Sequence, residues 1–177
     1  VLNEAGPPPT RTRASSAQLV AARTAAGIAG CPASSALPAV EGGLPDLTLE
    51  CLGGYTTVRL GGLRGPMLVN LWAQWCEPCQ AESGHLAAFA GEQDEVTVLG
   101  VNYTDPQPAL AIEFAGLTGL TFPHVADEEH ELRAPLGIVG IPYSLLVGAD
   151  GRILARHPGP FDSLPDLRSW VEEGLRR

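Results

Sequence analysis

The sequence predicts an α/β fold in which a mixed central sheet carries helices on both faces, with a helical extension at the N-terminus. Apolar runs of strand length alternate along the chain with segments of helical periodicity. The length of 177 residues suits one domain with an extension. A hydrophobic content of 45% is enough for a proper core.

The extension is predicted to occupy residues 1–43. Residues 1–13 are rich in proline and polar side chains, which predicts a disordered tether. Ser15 or Ser16 can cap a helix over residues 17–29, and Gly30 follows it as a stop signal. This helix lies outside the core domain, which we place at residues 44–177.

The core domain is predicted from its alternation of strands and helices. Each strand is a short apolar or β-branched run bounded by turn residues, and the helices begin beside polar residues or proline. The predicted strands are 47–51, 56–60, 67–72, 96–101, 122–125, 144–147 and 152–157. The predicted helices are 76–90, 108–117, a short turn at 128–134, and 164–175.

Two cysteines follow the buried strand at 67–72 and open the next helix. A thiol at a helix N-terminus faces unpaired N–H groups and the positive end of the helix dipole, which favours its thiolate. Cys76, at the exposed helix start, is therefore the expected nucleophile, and Cys79, one turn further in, the shielded resolving thiol. The pair can close a disulfide, so the spacing predicts a redox-active dithiol.

The same spacing also occurs in zinc sites, which need two further ligands. Cys31 and Cys51 are the remaining cysteines, and they lack a second close spacing. His124 is the one histidine in a predicted core strand, and no histidine has the spacing of a metal ligand. The sequence therefore predicts neither a metal nor another cofactor.

Three separated motifs resemble the thioredoxin superfamily over residues 44–176. The dithiol segment, with its two tryptophans and internal proline, is similar to the superfamily's active site: Trp72-Ala73-Gln74-Trp75-Cys76-Glu77-Pro78-Cys79. Residues 140–147, with the turn at 149–151, resemble its cis-proline loop and the hairpin after it. The form of residues 100–105 is similar to the TlpA/ResA/CcmG branch, whose members are extracytoplasmic, membrane-tethered proteins that handle disulfides.

The resemblance implies a thioredoxin-like fold and a thiol–disulfide oxidoreductase that reduces partner disulfides, with cytochrome c maturation as the pathway. Its implied partners are a protein disulfide and a membrane electron donor. An oxidant or isomerase of secreted proteins is the alternative, and a non-catalytic metal carrier or binding module is the alternative from another class. The net charge of −9 argues against nucleic acid as a partner.

The resemblance also assigns the substrate groove. Pro142 is expected to be cis and to face the dithiol, and the Ile141 backbone is expected to pair with an extended partner segment. Trp75 and Pro78 would form the apolar rim for the docking chain. A trans proline that starts the following strand, and plain core packing of Trp75, are the alternatives.

Two acids are candidates for tuning the dithiol. Glu77 lies between the cysteines, where its charge opposes a thiolate and favours a reducing dithiol, but it is also an ordinary acid of a helix N-terminus. Asn70 stands where the superfamily often carries a buried aspartate, which removes the usual proton acceptor. Asp105 matches the acid that serves instead in the TlpA/ResA/CcmG branch, with a helix cap as the plain alternative.

Cys31 and Cys51 flank the Pro/Gly-rich connection at residues 32–45 and are predicted to form a structural disulfide that staples the extension to the core. Closing this loop is worth about 3 kcal/mol on the chain-entropy model. The bond implies an oxidising, extracytoplasmic compartment, and two unpaired buried thiols are the alternative. The resemblance to a membrane-tethered branch implies a membrane anchor. No apolar run reaches the roughly 18 residues of a spanning helix, so we expect this anchor in a removed N-terminal segment.

Overall fold

The structure is a computed structural model and describes residues 13–177. The predicted tether therefore lies outside the described residues except for Arg13. A seven-stranded mixed sheet forms the centre of the molecule. Its strands are β1 Thr48–Cys51, β2 Thr57–Arg59, β3 Met67–Trp72, β4 Thr97–Tyr103, β5 His124–Asp127, β6 Tyr143–Val147 and β7 Ile153–Pro158.

The strands stand in the order β2-β1-β5-β4-β3-β6-β7. The inner strands β3, β4 and β5 are parallel, and the other neighbouring pairs are antiparallel. All six residues of β3 are buried, because this strand has neighbours on both sides and a packed layer on each face. That double burial explains why its sequence is a continuous apolar run rather than an alternating one.

The helices cover the two faces unequally. They are α1 Ser16–Ala25, α2 Glu77–Glu92, α3 Pro108–Thr118, α4 Arg133–Leu136 and α5 Leu164–Leu175. Side chains from α1, α2, α3 and α5 pack into one apolar core, whereas the short α4 contributes to the core on the opposite face. Successive residues of β3 alternate between these two cores, as the pleat of a strand requires.

The predicted fold class is confirmed. The short helical turn predicted at 128–134 differs most in its bounds, since α4 begins only at Arg133, and the next largest difference lies in the extension. Helix α1 has the predicted Ser15 cap, but it ends at Ala25 rather than at residue 29. Gly27 adopts the left-handed backbone conformation and turns the chain, which then runs beside the sheet, where Ala29 N–H donates to Thr121 O. No residue of α1 is buried, although Leu19 and Ala22 pack against the core.

Candidate active site

The dithiol forms a disulfide at the start of α2. Cys76 is the N-cap of this helix and is bonded to Cys79. The backbone N–H of Cys79 donates to Cys76 Sγ at 3.3 Å, so an amide in the first turn of the helix points at the sulfur. A thiolate on Cys76 would keep this donor and would also gain from the helix dipole.

Exposure does not distinguish the two cysteines as the sequence suggested. Cys76 is 4% exposed and Cys79 is 2% exposed, so the expectation of an exposed Cys76 is wrong for the oxidised form. The reason is the loop before β6, because the carbonyl oxygen of Ile141 lies 3.7 Å from Cys76 Sγ. The roles of nucleophile and resolving thiol remain predictions, now supported by the helix position alone.

The loop that covers Cys76 contains the predicted cis proline. The Ile141–Pro142 peptide bond is cis, as expected, and the trans alternative is wrong. The Pro142 carbonyl points into the sheet, where it accepts a hydrogen bond from Gly159 N at 2.9 Å. The Ile141 carbonyl instead faces Cys76, which leaves the Ile141 backbone beside the disulfide.

Trp75 forms one side of a groove next to the disulfide. Its side chain is 54% exposed, and its indole Nε1 donates to the Thr104 carbonyl at 3.2 Å, which fixes the ring over the end of β4. The core-packing alternative for Trp75 is therefore wrong, whereas Trp72, at the end of β3, is buried in the core. A cavity of about 370 Å³ opens here, lined by Trp75, Tyr103, Thr104, His130, Arg133 and residues 138–141. Pro78 is exposed at the start of α2.

Asp105 lies buried between the active-site loop and α3. Its carboxylate accepts hydrogen bonds from Gln74 N, Asn102 Nδ2 and Gln107 N, each at 3.1 Å. The N-cap of α3 is Gln107, so Asp105 holds the turn before the helix rather than occupying the cap position. Through Gln74 it also anchors the loop two residues before Cys76, and its effect on the thiols remains a prediction.

Glu77 is exposed in the first turn of α2. This position places its charge beside the dithiol and also at the positive end of the helix dipole. Both interpretations of Glu77 therefore remain predictions.

Glu82, for which the sequence motifs gave no prediction, supplies the buried carboxyl group that Asn70 lacks. Glu82 follows Cys79 by three positions on α2, so both side chains lie on the same buried side of the helix. Its Oε1 accepts from Asn70 Nδ2 at 2.8 Å and its Oε2 from Phe161 N at 3.0 Å. Burial raises the pKa of Glu82, while the hydrogen bonds from Phe161 and Asn70 lower it.

A sequence signal for Glu82 did exist. The residues at its helical spacing, Cys79, Leu86 and Phe89, are all buried, which puts the acid in an otherwise apolar stripe. A buried carboxyl group one helical turn from a dithiol is a candidate functional group.

His124 is structural and neutral. Trp72 Nε1 donates to His124 Nδ1 at 3.1 Å, which requires the other ring nitrogen, Nε2, to donate to Leu120 O at 2.9 Å. Burial lowers the pKa of His124 to about 4. A side chain on Gly100 would collide with this ring, which explains the glycine in the middle of β4.

The other two cysteines form the predicted second disulfide, Cys31–Cys51. It joins the chain after α1 to the end of β1, and Arg23 Nη1 of α1 lies 3.2 Å from Cys51 Sγ. Both alternatives, unpaired thiols and a four-cysteine zinc site, are wrong because all four cysteines are paired in two bonds. Within residues 13–177, no cluster of three or more His, Cys, Asp or Glu side chains could hold a metal ion.

The mixed sheet, the disulfide at the start of α2 and the cis-proline loop facing it define the class of thioredoxin-like dithiol proteins. The chain belongs to the AhpC/TSA family, which matches residues 40–156. It is 34% identical over 119 residues to the thiol:disulfide interchange protein HelX of Rhodobacter capsulatus, covering 66% of each chain. It is 32% identical over 140 residues to the protein DsbE of Allochromatium vinosum, covering 77% of this chain and 71% of the relative.

Solved structures show the same architecture. DsbF of MTB superimposes with a TM-score of 0.66 at 27% identity, over 77% of this chain and 99% of that one. A secreted thiol-disulfide isomerase of Corynebacterium glutamicum gives a TM-score of 0.65 at 26% identity, over 76% of this chain and 86% of that one. The matches span 66%, 62% and 55% of the length of HelX, CycY of Rhizobium leguminosarum and DsbE of Yersinia pestis.

None of the helices in residues 13–177 combines the length and apolar character that crossing a bilayer demands.

Proposed function

We propose that the protein is a thiol–disulfide oxidoreductase whose Cys76/Cys79 dithiol reduces disulfides of partner proteins outside the cytoplasm. One observation carries the proposal: the disulfide lies at the N-terminus of α2, 3.7 Å from the Ile141 carbonyl and beside the open groove of Trp75. The relatives named as thiol:disulfide interchange proteins support it.

The reaction begins from the reduced form. The Cys76 thiolate attacks one sulfur of the partner disulfide, whose other sulfur leaves as a thiolate, and a mixed disulfide forms. Cys79 then loses its proton and attacks Cys76 Sγ, which restores the Cys76–Cys79 bond and frees the second partner thiol. Two electrons pass from the dithiol to the partner, and a membrane dithiol donor would return them.

The groove would hold the partner during this exchange. An extended segment of the partner would form backbone hydrogen bonds with Ile141, while Trp75 and Pro78 supply an apolar rim. Glu82, one turn beyond Cys79, is the buried group suited to accept the proton that Cys79 loses, because burial raises its pKa toward the pH at which thiols exchange.

The compartment and the pathway are part of the same proposal. A second disulfide favours an oxidising environment outside the cytoplasm. Residues 1–43, the N-terminal tether and helix, would connect a membrane anchor to residues 44–177, the catalytic domain. The resemblance to the TlpA/ResA/CcmG branch favours a role in cytochrome c maturation, and oxidation or isomerisation of secreted proteins is the competing role.

The reduction potential of the Cys76/Cys79 couple tests the direction. We expect a value well below about −200 mV, as for dithiol reductants, whereas a value near about −120 mV would support an oxidant. A matched test uses Cys79→Ser, which should accumulate a mixed disulfide between Cys76 and a peptide that carries an internal disulfide. Cys76→Ser is the control and should accumulate none. Equal trapping by both variants would contradict the proposal.

A further inference from the structure

Asn70 and Glu82 face each other in the closed layer between β3 and α2, and one atom of this pair has no partner. Asn70 is fully buried, and its Nδ2 donates to Glu82 Oε1 at 2.8 Å and to Ser144 Oγ at 3.0 Å. Its Oδ1 is buried and makes no hydrogen bond. A buried amide oxygen without a donor is costly, so this orientation of the amide is not fully stabilised.

A proton on Glu82 is better accommodated on Oε1 than on Oε2. Oε2 faces the Phe161 N–H at 3.0 Å, which can only donate, whereas Oε1 faces the Asn70 amide, which also carries an acceptor oxygen. A proton on Oε1 would face the N–H of Asn70, so two donors would point at each other. If the amide turned by half a rotation, Oδ1 would accept from Glu82 and from the hydroxyl of Ser144, which can act as donor or acceptor.

The two orientations of the amide are closely matched. With Glu82 ionised, Nδ2 makes two bonds and Oδ1 none. With Glu82 protonated, a turned amide makes two bonds through Oδ1 and leaves Nδ2 without any. Each orientation has the same number of bonds and one unpaired atom, so the proton on Glu82 decides between them.

We propose that Asn70 is a positioning residue whose amide turns over when Glu82 gains or loses its proton, and that Ser144 relays this change to the loop that ends at Pro142. Ser144 is the second residue of β6, which begins directly after Pro142, and it pairs with Asn70 of β3 in the sheet. The proton state below the dithiol is thereby linked to the loop where the partner docks. The inference rests on the proposed function only for its purpose, and it holds for either direction of electron flow.

The groups around Glu82 are few. In addition to Asn70, Ser144 and the Phe161 N–H, these groups are Cys76 at the N-cap of α2, Cys79 on α2 and His157 on β7. His157 pairs with Ser144 in the sheet and stacks on the Phe161 ring at 4.0 Å. Burial is the main cause that raises the pKa of Glu82, and no charged side chain contributes to the shift. In the oxidised protein the cysteines do not titrate, which makes this form suitable for the test.

Nuclear magnetic resonance of the oxidised protein tests the proposal directly. The Glu82 carboxyl carbon and the Asn70 side-chain amide should titrate together, with one midpoint above about 4.3, the ordinary glutamate pKa. The nuclear Overhauser effect from the Asn70 amide protons to the Glu82 side chain should be present above that midpoint and lost below it. A Glu82 that does not titrate in this range, or an Asn70 amide unchanged across the transition, would overturn the proposal.

Two variants sharpen the result. Glu82→Gln should abolish the pH dependence of the Asn70 amide signals. Asn70→Leu keeps the volume and removes the donor, so the Glu82 midpoint should rise by about one pH unit, and the pH profile of Cys76 alkylation in the reduced protein should move with it. An unchanged midpoint in a folded Asn70→Leu protein contradicts the proposal, and the wild-type titration decides it if that variant does not fold. A reduction potential typical of an oxidant would refute the proposed direction without affecting either result.

Discussion

The carboxylate of Asp105 accepts a hydrogen bond from the backbone N–H of Gln74 at 3.1 Å, two residues before Cys76. This bond fixes the loop that leads from β3 into α2 to the end of β4. The position of the nucleophile therefore depends on a buried acid that is 29 residues away from it in the chain. The same acid holds the turn before α3 through Gln107 N.

Asp105→Asn is expected to lower the pKa of the Cys76 thiol and to slow exchange with a partner disulfide. The first effect follows because a buried negative charge near the dithiol opposes the thiolate. The second follows because an asparagine keeps one acceptor oxygen for the three N–H groups that now bind the carboxylate, those of Gln74, Asn102 and Gln107. The pH dependence of alkylation at Cys76 measures the pKa, and reduction of a disulfide peptide measures the rate.

The matched control for this variant is Asp94→Asn, which removes the same charge from an exposed position beyond α2. It should leave the alkylation profile unchanged. If Asp105→Asn also leaves the profile unchanged, then Asp105 is only an anchor for the loop and has no electrostatic effect on the dithiol.

Much of the fold could be predicted because its elements have strong local signals. The run at Met67–Trp72 and the helix at Leu164–Leu175 have the predicted bounds, since a doubly buried strand and a strongly amphipathic helix identify themselves in the sequence. The bounds do not determine which residues pack. Gly174 faces the sheet, where a larger side chain would strike Leu146, and Leu175 remains partly exposed.

The site could be predicted only in part, because half of it depends on contacts between distant segments. The spacing of Cys76 and Cys79 showed the dithiol, and the motif around Pro142 showed the loop that faces it. Nothing local showed that Ile141 covers Cys76 or that Glu82 bonds Phe161, 79 residues further along the chain. Such contacts arise from the packing of α2 on the sheet, which no single segment encodes.

Alkylation should distinguish the two active-site thiols although their exposures are nearly equal. After mild reduction, Cys76 should react with iodoacetamide faster than Cys79, because its sulfur accepts the Cys79 N–H and gains from the α2 dipole. Peptide mass spectrometry at short reaction times measures the two rates. Equal rates, or faster labelling of Cys79, would show that the assigned roles are wrong.

The Cys31–Cys51 bond should survive reductant concentrations that open Cys76–Cys79. Cys51 lies buried at the end of β1, and the chain around Cys31 is held by hydrogen bonds at Ala29 and Ser34, so the two thiols would stay close and re-form the bond. Titration with dithiothreitol followed by peptide mapping gives both midpoints. Opening of both bonds at one concentration would contradict this expectation.

Removing the second disulfide should also destabilise the protein. The bond closes a loop with a sequence separation of 20, so Cys31→Ser with Cys51→Ser should lower the free energy of unfolding by about 3 kcal/mol on the chain-entropy model. Urea unfolding measures the loss. The control is Cys76→Ser with Cys79→Ser. It removes a bond whose sequence separation is only 3, so the expected loss of stability is smaller.

Glu82→Gln should make stability less dependent on pH. Because burial raises the pKa of Glu82 in the folded state, folding favours the protonated acid, and this contribution is complete below the unfolded pKa and lost as the pH rises through the folded pKa. As the pH rises above about 4.3, the ordinary glutamate pKa, the wild type should therefore lose stability relative to Glu82→Gln, which stays neutral. Urea unfolding at several pH values measures the difference. The titration of His124 is common to both proteins and therefore cancels from it. Glu95→Gln, at an exposed acid, is the control and should follow the wild type, and parallel pH curves for all three proteins would show that Glu82 does not take up a proton in this range.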